Sequence, residues 1–244
     1  MLTATWDDAA HLTEMEKREL LRSIPEFQRE ARSQGIPYLG SGLIYPFDEK
    51  DIRVKDFDIP KHWPRGFGFD VGWNRTAALW GAHDRESDIL YFYSVYSRGM
   101  GEPPSHAAAV KSRGLWIPGR IDPASRGRSQ IDGQRLIKLY AAQGLKLGLA
   151  PNAVEAGIMA IYTRLAKGSL KVFASCEAFF EEYRVYQRDD TGKVVKEQDH
   201  VMDCGRYFIL AFEENANWLA TRPVEDVKVT KYVTQGQAGQ EWMQ

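Results

Sequence analysis

The stretch RGFGFDVGWN, residues 65–74, decides how this chain is read. Phe67, Phe69 and Val71, with two intervening glycines and with Pro64 and Asn74 as boundaries, describe a short buried strand. Asp70 stands inside that strand, where a core-bound segment should be apolar. An ionised carboxylate is costly to desolvate unless a cation or hydrogen-bond donors compensate it. The strand therefore implies a partner for Asp70.

Downstream the strand pattern continues. TAALWGAHD and ILYFYSVYS follow, joined by the turn RESD, so three strands in immediate succession predict an antiparallel meander. Helices and strands then alternate: a helix over PPSHAAAVKSRG, a strand at GRIDPA, and a helix over DGQRLIKLYAAQG capped by Asp132. Next come LKLGLAP as a strand, NAVEAGIMAIYTRLAKG as a helix and LKVFASC as a strand. EAFFEEYRVY reads as helix or strand, QRDDTGKVVKEQ as a hairpin turning near Thr191-Gly192, and DHVMDCGRYFILAFEEN as a closing helix. This order predicts an α/β fold whose mixed sheet has three antiparallel strands, then parallel strands, with helices on both faces.

Upstream, residues 6–45 carry a helical pattern with Asp7 or Asp8 as cap, Leu12, Met15, Leu20 and Leu21 as a stripe, and Pro25 as a break. The Gly/Pro-punctuated GIPYLGSGLIYPF follows, which suits a linker or a packed arm. The expected organisation is an arm over 1–62, a domain over 63–215 and a polar tail over 216–244. The 244 residues and 43% hydrophobic content suit one large domain of ordinary globular type. No apolar run reaches membrane-spanning length. Cys176 and Cys204 are too few for a disulfide framework and read as small buried hydrophobes. A net charge of −1 gives no global attraction for a polyanion, so nucleic-acid contact would need a local basic surface.

Three acidic residues stand out by context: Asp70 in its strand, Asp122 at the mouth of the GRID strand before Pro123, and Asp203 one turn into the last helix. Convergence would raise their pKa values by mutual repulsion, which divalent cations relieve. Hard oxygen donors without a His/Cys set select Mg²⁺ or Mn²⁺ over Zn²⁺. Two such ions about 3.5–4 Å apart can clamp a phosphodiester. Each residue also has an ordinary reading: Asp70 accepting backbone N–H bonds at a strand end, Asp122 in turn chemistry, Asp199 as a helix N-cap and His200 as a helix-start residue. Spacing alone leaves both open.

FGFDVGWN (67–74), RIDP (120–123) and DHVMDCGRY (199–207) resemble the C-terminal nuclease domain of tailed-bacteriophage terminase large subunits. The lead-in from Thr5 to Phe47 is similar to the segment joining the packaging ATPase to that nuclease. The resemblance implies a ribonuclease H-like fold and Asp70, Asp122 and Asp203 as catalytic ligands of two Mg²⁺ or Mn²⁺ ions, with Asp199 assisting. It implies an endonuclease that cuts concatemeric viral DNA in the cytoplasm of the infected bacterium. Its partners would be double-stranded DNA, the portal protein, the small terminase subunit and the ATPase domain of the same full-length subunit. The hairpin from Tyr186 to Gln198 would flank the site. Cys204-Gly205 departs from the family's frequent Ala-Leu. Another ribonuclease H-like nuclease, such as a junction resolvase, and a non-catalytic DNA or portal docking module are the alternatives.

Residues 111–138 concentrate Lys111, Arg113, Arg120, Arg126, Arg128, Arg135 and Lys138 against Asp122 and Asp132. SRGRSQ, directly after Asp122, offers small residues and two guanidiniums suited to phosphate oxygens. Arg126, Arg128, Arg120, Lys111 and Arg135 are therefore the candidate DNA contacts. No G-x-x-x-x-G-K-[ST] appears, so ATP hydrolysis is not expected of this chain.

Overall fold

The structure is a computed structural model that describes residues 13–23, 42–126 and 136–223. Its centre is a seven-stranded mixed sheet. The meander consists of β3 (Arg65–Val71), β4 (Thr76–Asp84) and β5 (Ile89–Arg98), antiparallel throughout. Parallel strands extend it on both sides. β6 (Gly119–Ile121) and β7 (Leu147–Leu149) continue from β3, while β8 (Leu170–Phe173) and β2 (Arg53–Val54) continue from β5. The spatial order is β2-β8-β5-β4-β3-β6-β7. β1 (Gly42–Leu43) and β9 (Gln187–Arg188) pair separately, antiparallel.

Helices cover both faces: α3 (Pro103–Lys111) and α4 (Leu136–Ala142) on one, α5 (Val154–Ala166), α6 (Glu177–Tyr183) and α7 (His200–Glu214) on the other, while α1 (Glu14–Ser23) and α2 (Glu49–Ile52) belong to the lead-in. Central β4 is buried on both sides, which explains its nearly continuous apolar run. Its Ala78 and Trp80 join Phe67 and Phe69 of β3 in a cluster with Ala107 and Val110 of α3 and Tyr140 of α4. Its Ala77 and Leu79 face the other way, with Leu90 and Phe92 of β5, toward α5, α6 and α7.

Strand β3 alternates with period two. Phe67 and Phe69 pack on the α3/α4 side, so Gly66, Gly68 and Asp70 face the other, where Gly66 lies under Trp218 and Leu219 and Gly68 under α7. Glycine is required there: a Cβ at Gly68 would overlap the Cys204 carbonyl oxygen of α7. Helix backbone lies directly on strand backbone, and the Cys204 thiol donates to the Ala77 carbonyl (3.2 Å) across the same contact. Both cysteines are free and buried, as their composition context implied.

Two boundaries differ from the sequence reading. The folded unit takes in residues well before Trp63: Ile44, Tyr45 and Ile52 are core residues, and β2 is an edge of the main sheet. Arg53 fastens this lead-in to the domain. It pairs with Glu49 (2.6 Å) and Glu177 (2.7 Å) and lies 3.7 Å over the Phe180 ring. Isolated apolar residues between glycines and prolines hid that packing. Past residue 215, the turn Ala216–Trp218 and buried Leu219 cover the sheet, and Ala220 bridges to Arg65. The described part of α1 opens on a capping box, in which Thr13 N donates to Glu16 Oε2 (2.8 Å) and Glu16 N to Thr13 Oγ1 (3.3 Å). Asp7, Asp8, Pro25, Asp132 and the tail from 224 lie outside the described residues.

Because the α7–β3 contact leaves no room for a side chain, Gly68→Ala is expected to destabilise the domain by roughly 3 kcal/mol, about a 10 °C fall in Tm. Thermal unfolding by circular dichroism checks it; an unchanged Tm would contradict the contact.

Candidate active site

Register places the first two aspartates together. β3 and β6 run parallel with Phe69 opposite Ile121, so Asp70 and Asp122, one residue further along, share the face that α7 covers. The chain leaves β6 at once: Asp122 N donates to the Phe69 carbonyl (3.1 Å), and Asp122 Oδ1 accepts from Ala124 N (3.0 Å) in the turn that Pro123 starts. Asp203, on the first turn of α7, faces them and is buried. The electrostatics record this convergence. Burial chiefly, and then Asp203, Asp122 and Asp70 together, raise the Tyr207 hydroxyl on α7.

What compensates Asp70 is His200. Its Nδ1 lies 2.7 Å from Asp70 Oδ2. Burial still pushes the Asp70 carboxyl up, the histidine works against that, and the neighbouring Asp203 and Asp122 add to it. The hydrogen bond to Asp70 in turn raises His200, partly opposed by burial. His200 was read as an ordinary helix-start residue. It does open α7, and its ring serves the carboxylate 130 residues away.

Asp203 is gripped from its own helix. Arg206, one turn on and almost wholly buried, donates from Nε (3.1 Å) and Nη2 (2.7 Å) to Oδ1. Burial works against the Arg206 charge, and the Asp203 carboxylate outweighs it, holding the guanidinium above its ordinary value. Lys196, on the segment preceding α7, reaches Asp199 Oδ2 (2.8 Å) and Asp203 Oδ2 (3.3 Å). Asp199 occupies the N-cap position but caps nothing with its side chain. Glu182 of α6 supplies the cap instead, accepting from Val201 N (2.6 Å) and Met202 N (3.1 Å).

The hairpin before α7 turns where expected. Asp189 Oδ1 accepts from Thr191 N (2.8 Å) and Lys193 N (3.0 Å), and Gly192 has φ +80. Its strand β9 pairs with the lead-in strand β1, and Lys196 at its end points to the acidic group, so the segment does flank the site.

The basic residues fare differently. Arg120 lies on the aspartate face but is tucked beneath Trp218, its guanidinium 5.1 Å from that ring, and burial lowers its pKa. Lys111 ends α3, which packs on the opposite face of the sheet. These two do not form one surface with the aspartates. The side chain of Arg126, and Arg128 and Arg135 entirely, lie outside the described residues.

Carboxylate oxygens desolvated beside like charges are the donors a hard divalent cation requires, and in that respect the residues fit one. Among the described residues, no three His, Cys, Asp or Glu side chains are drawn tightly enough together to hold an ion as they stand. His200 holds Asp70, and Arg206 and Lys196 hold Asp203. The sequence reading missed Lys196, Arg206 and Glu182. The Asp203–Arg206 spacing of three on a helix was a legible signal; nothing local pointed to Glu182, whose partners are 19 and 20 residues away.

Glu182 gives a pH prediction. Burial pushes its carboxyl up to about 7, although the Met202 and Val201 N–H groups favour the ionised form. A raised carboxyl contributes stability that is present below its ordinary 4.5 and lost as pH rises through about 7. Glu182→Gln keeps an acceptor for the two N–H groups, and should lessen the fall in stability across that window by about 2 kcal/mol. Urea unfolding at stepped pH measures it; an equally steep fall would count against the buried cap.

The family model for the terminase RNase H-like domain matches residues 67–212. The chain is 36% identical over 210 residues to the terminase large subunits of Salmonella phage P22 and of Enterobacteria phage LP7, covering 82% of this chain. It spans less than half the length of those relatives, 42% and 44% respectively. The P22 large terminase nuclease domain superposes with a TM-score of 0.67 at 30% identity, over 75% of this chain and 97% of that one. The large terminase nuclease of thermophilic phage G20c with bound magnesium shares the fold at TM-score 0.51 and 12% identity, over 69% and 96%. With the mixed sheet, the β3–α7 contact and the paired strand ends in place, the chain belongs to the terminase ribonuclease H-like nuclease family.

Proposed function

We propose that this chain is the part of a terminase large subunit that cuts concatemeric viral DNA during genome packaging, as a divalent-metal-dependent endonuclease. The observation that carries the reading is the arrival of Asp70, Asp122 and Asp203 from β3, β6 and α7 on one face, with Asp70 pushed up by burial and by its two neighbours. The G20c nuclease, crystallised with magnesium and also with cobalt, supports a divalent ion in this fold.

Asp70, Asp122 and Asp203 would hold Mg²⁺ or Mn²⁺, as two ions, with Asp199 beside them. Such ions activate water and stabilise the leaving oxygen of a phosphodiester. The chain's own groups orient the ligands: His200 aims Asp70, Arg206 fixes one oxygen of Asp203, and Lys196 neutralises the other. Glu182 holds the first turn of α7, so the spacing from His200 to Asp203 is rigid. Hydrolysis by this route leaves 3′-hydroxyl and 5′-phosphate ends. Double-stranded DNA, the portal, the small subunit and the subunit's own ATPase domain are the proposed partners, in the cytoplasm of the infected bacterium.

Plasmid nicking in Mn²⁺ tests the reading. Asp70→Asn and Asp203→Asn should each lower the rate at least about 100-fold, since even groups that merely orient metal ligands are worth 10–100-fold. Nicking that persists in both variants would rule out these ligands, and no metal-dependent nicking in any variant would leave the docking module. For the loop after Asp122, the pair Arg126→Ala and Arg128→Ala should weaken DNA binding and reduce the slope of log affinity against log salt by up to about 2. Filter binding at several salt concentrations reads it; an unchanged slope removes that loop from the DNA path.

A further inference from the structure

Arg206 uses only two of its three nitrogens on Asp203. The third, Nη1, is buried and has no hydrogen-bond partner among the described residues. The hydroxyls of Tyr45 and Tyr186 are in the same condition. All three belong to one neighbourhood behind Asp203. The Tyr45 and Tyr186 rings stack with centroids 5.6 Å apart. After burial itself, Tyr186, Arg206 and Asp203 act on the Tyr45 hydroxyl, and Asp203 and Arg206 act on that of Tyr186. Buried polar atoms are almost always satisfied, and a buried water typically makes about three hydrogen bonds.

We propose that one buried water, held by Arg206 Nη1 and the hydroxyls of Tyr45 and Tyr186, completes the grip on Asp203 and makes the two tyrosines positioning residues for that carboxylate. The water accepts from the guanidinium and exchanges hydrogen bonds with both hydroxyls, so all three groups are satisfied at once. Arg206 then has a single orientation, and so does the Asp203 oxygen it holds. The tyrosines come from different places. Tyr186 leads into the hairpin, and Tyr45 lies in the lead-in segment, fixed by Ile44 N donating to the Tyr186 carbonyl (2.9 Å) and by β1 pairing with β9. A shift of residues 42–47 against the domain is thereby transmitted to Asp203. The inference rests on Asp203 being a metal ligand.

Tyr45→Phe and Tyr186→Phe keep the ring stack and remove one hydroxyl each. Tyr183→Phe is the control: its ring also stacks on Tyr45, at 5.9 Å, but its hydroxyl is spent on the Phe47 carbonyl (3.1 Å). Calorimetric titration with Mn²⁺ is the readout, with thermal unfolding beside it. Each of the two node variants should weaken Mn²⁺ binding about 10-fold, while Tyr183→Phe leaves it unchanged at a comparable Tm. Wild-type affinity in both node variants, or equal weakening by Tyr183→Phe, overturns the inference. Asp70→Asn separates that failure from failure of the metal reading, because Mn²⁺ binding that is absent in the wild type or indifferent to Asp70 sinks the reading itself. A crystal structure decides the node independently: density within hydrogen-bond distance of the three atoms supports it, and a dry, closed contact among them refutes it.

Discussion

The arrangement depends on the distance between one helix and one strand. α7 can carry an acidic residue up to β3 only because β3 presents Gly68 on that side, so that the helix backbone meets the sheet directly. Any side chain at residue 68 would lift the helix away and separate Asp203 from Asp70. Gly68 and Asp70 of the opening segment are thus one device: the same alternation that clears space for the helix aims Asp70 at it. The phenylalanines between them anchor the strand to the opposite layer, where Trp80 and Tyr140 enclose them.

Charge compensation around the site is built with equal economy. Three carboxylates from separate strands and a helix are accompanied by His200, Arg206 and Lys196, all within eleven residues of one another. The cations differ in commitment. Arg206 is 2% exposed and packed, whereas the Lys196 side chain is 60% exposed and comes from the hairpin. An ammonium on a flexible, half-solvated stem is far easier to displace than a buried fork, because its loss strands no buried donor.

Much of the fold was legible. The meander, the alternation after it and the closing helix followed from periodicity and turn residues, and the ordered acidic motifs carried the family. What escaped was non-local. Asp70 announced that it needed a partner, but its partner lay 130 residues away and looked like a routine helix-start histidine. Asp199 had the composition of a cap and the position of one, yet the capping oxygen came from α6. The basic run around Asp122 was contiguous in sequence and divided in space, since α3 and β6 put their residues on different layers of the sheet. Residues 42–54 lacked any periodic pattern because two-residue strands are too short to show one.

That short strand β2 matters beyond its size. It pairs with the outer side of β8, where Arg53 is opposite Val172 and Val54 opposite Phe173. A polypeptide beginning at Trp63 would leave the outer edge of β8 open at Val172 and Phe173, the kind of unprotected margin that invites intermolecular strand pairing. Residues 44–54 are therefore part of the folded unit, and β2 shields an edge that would otherwise be open to self-association.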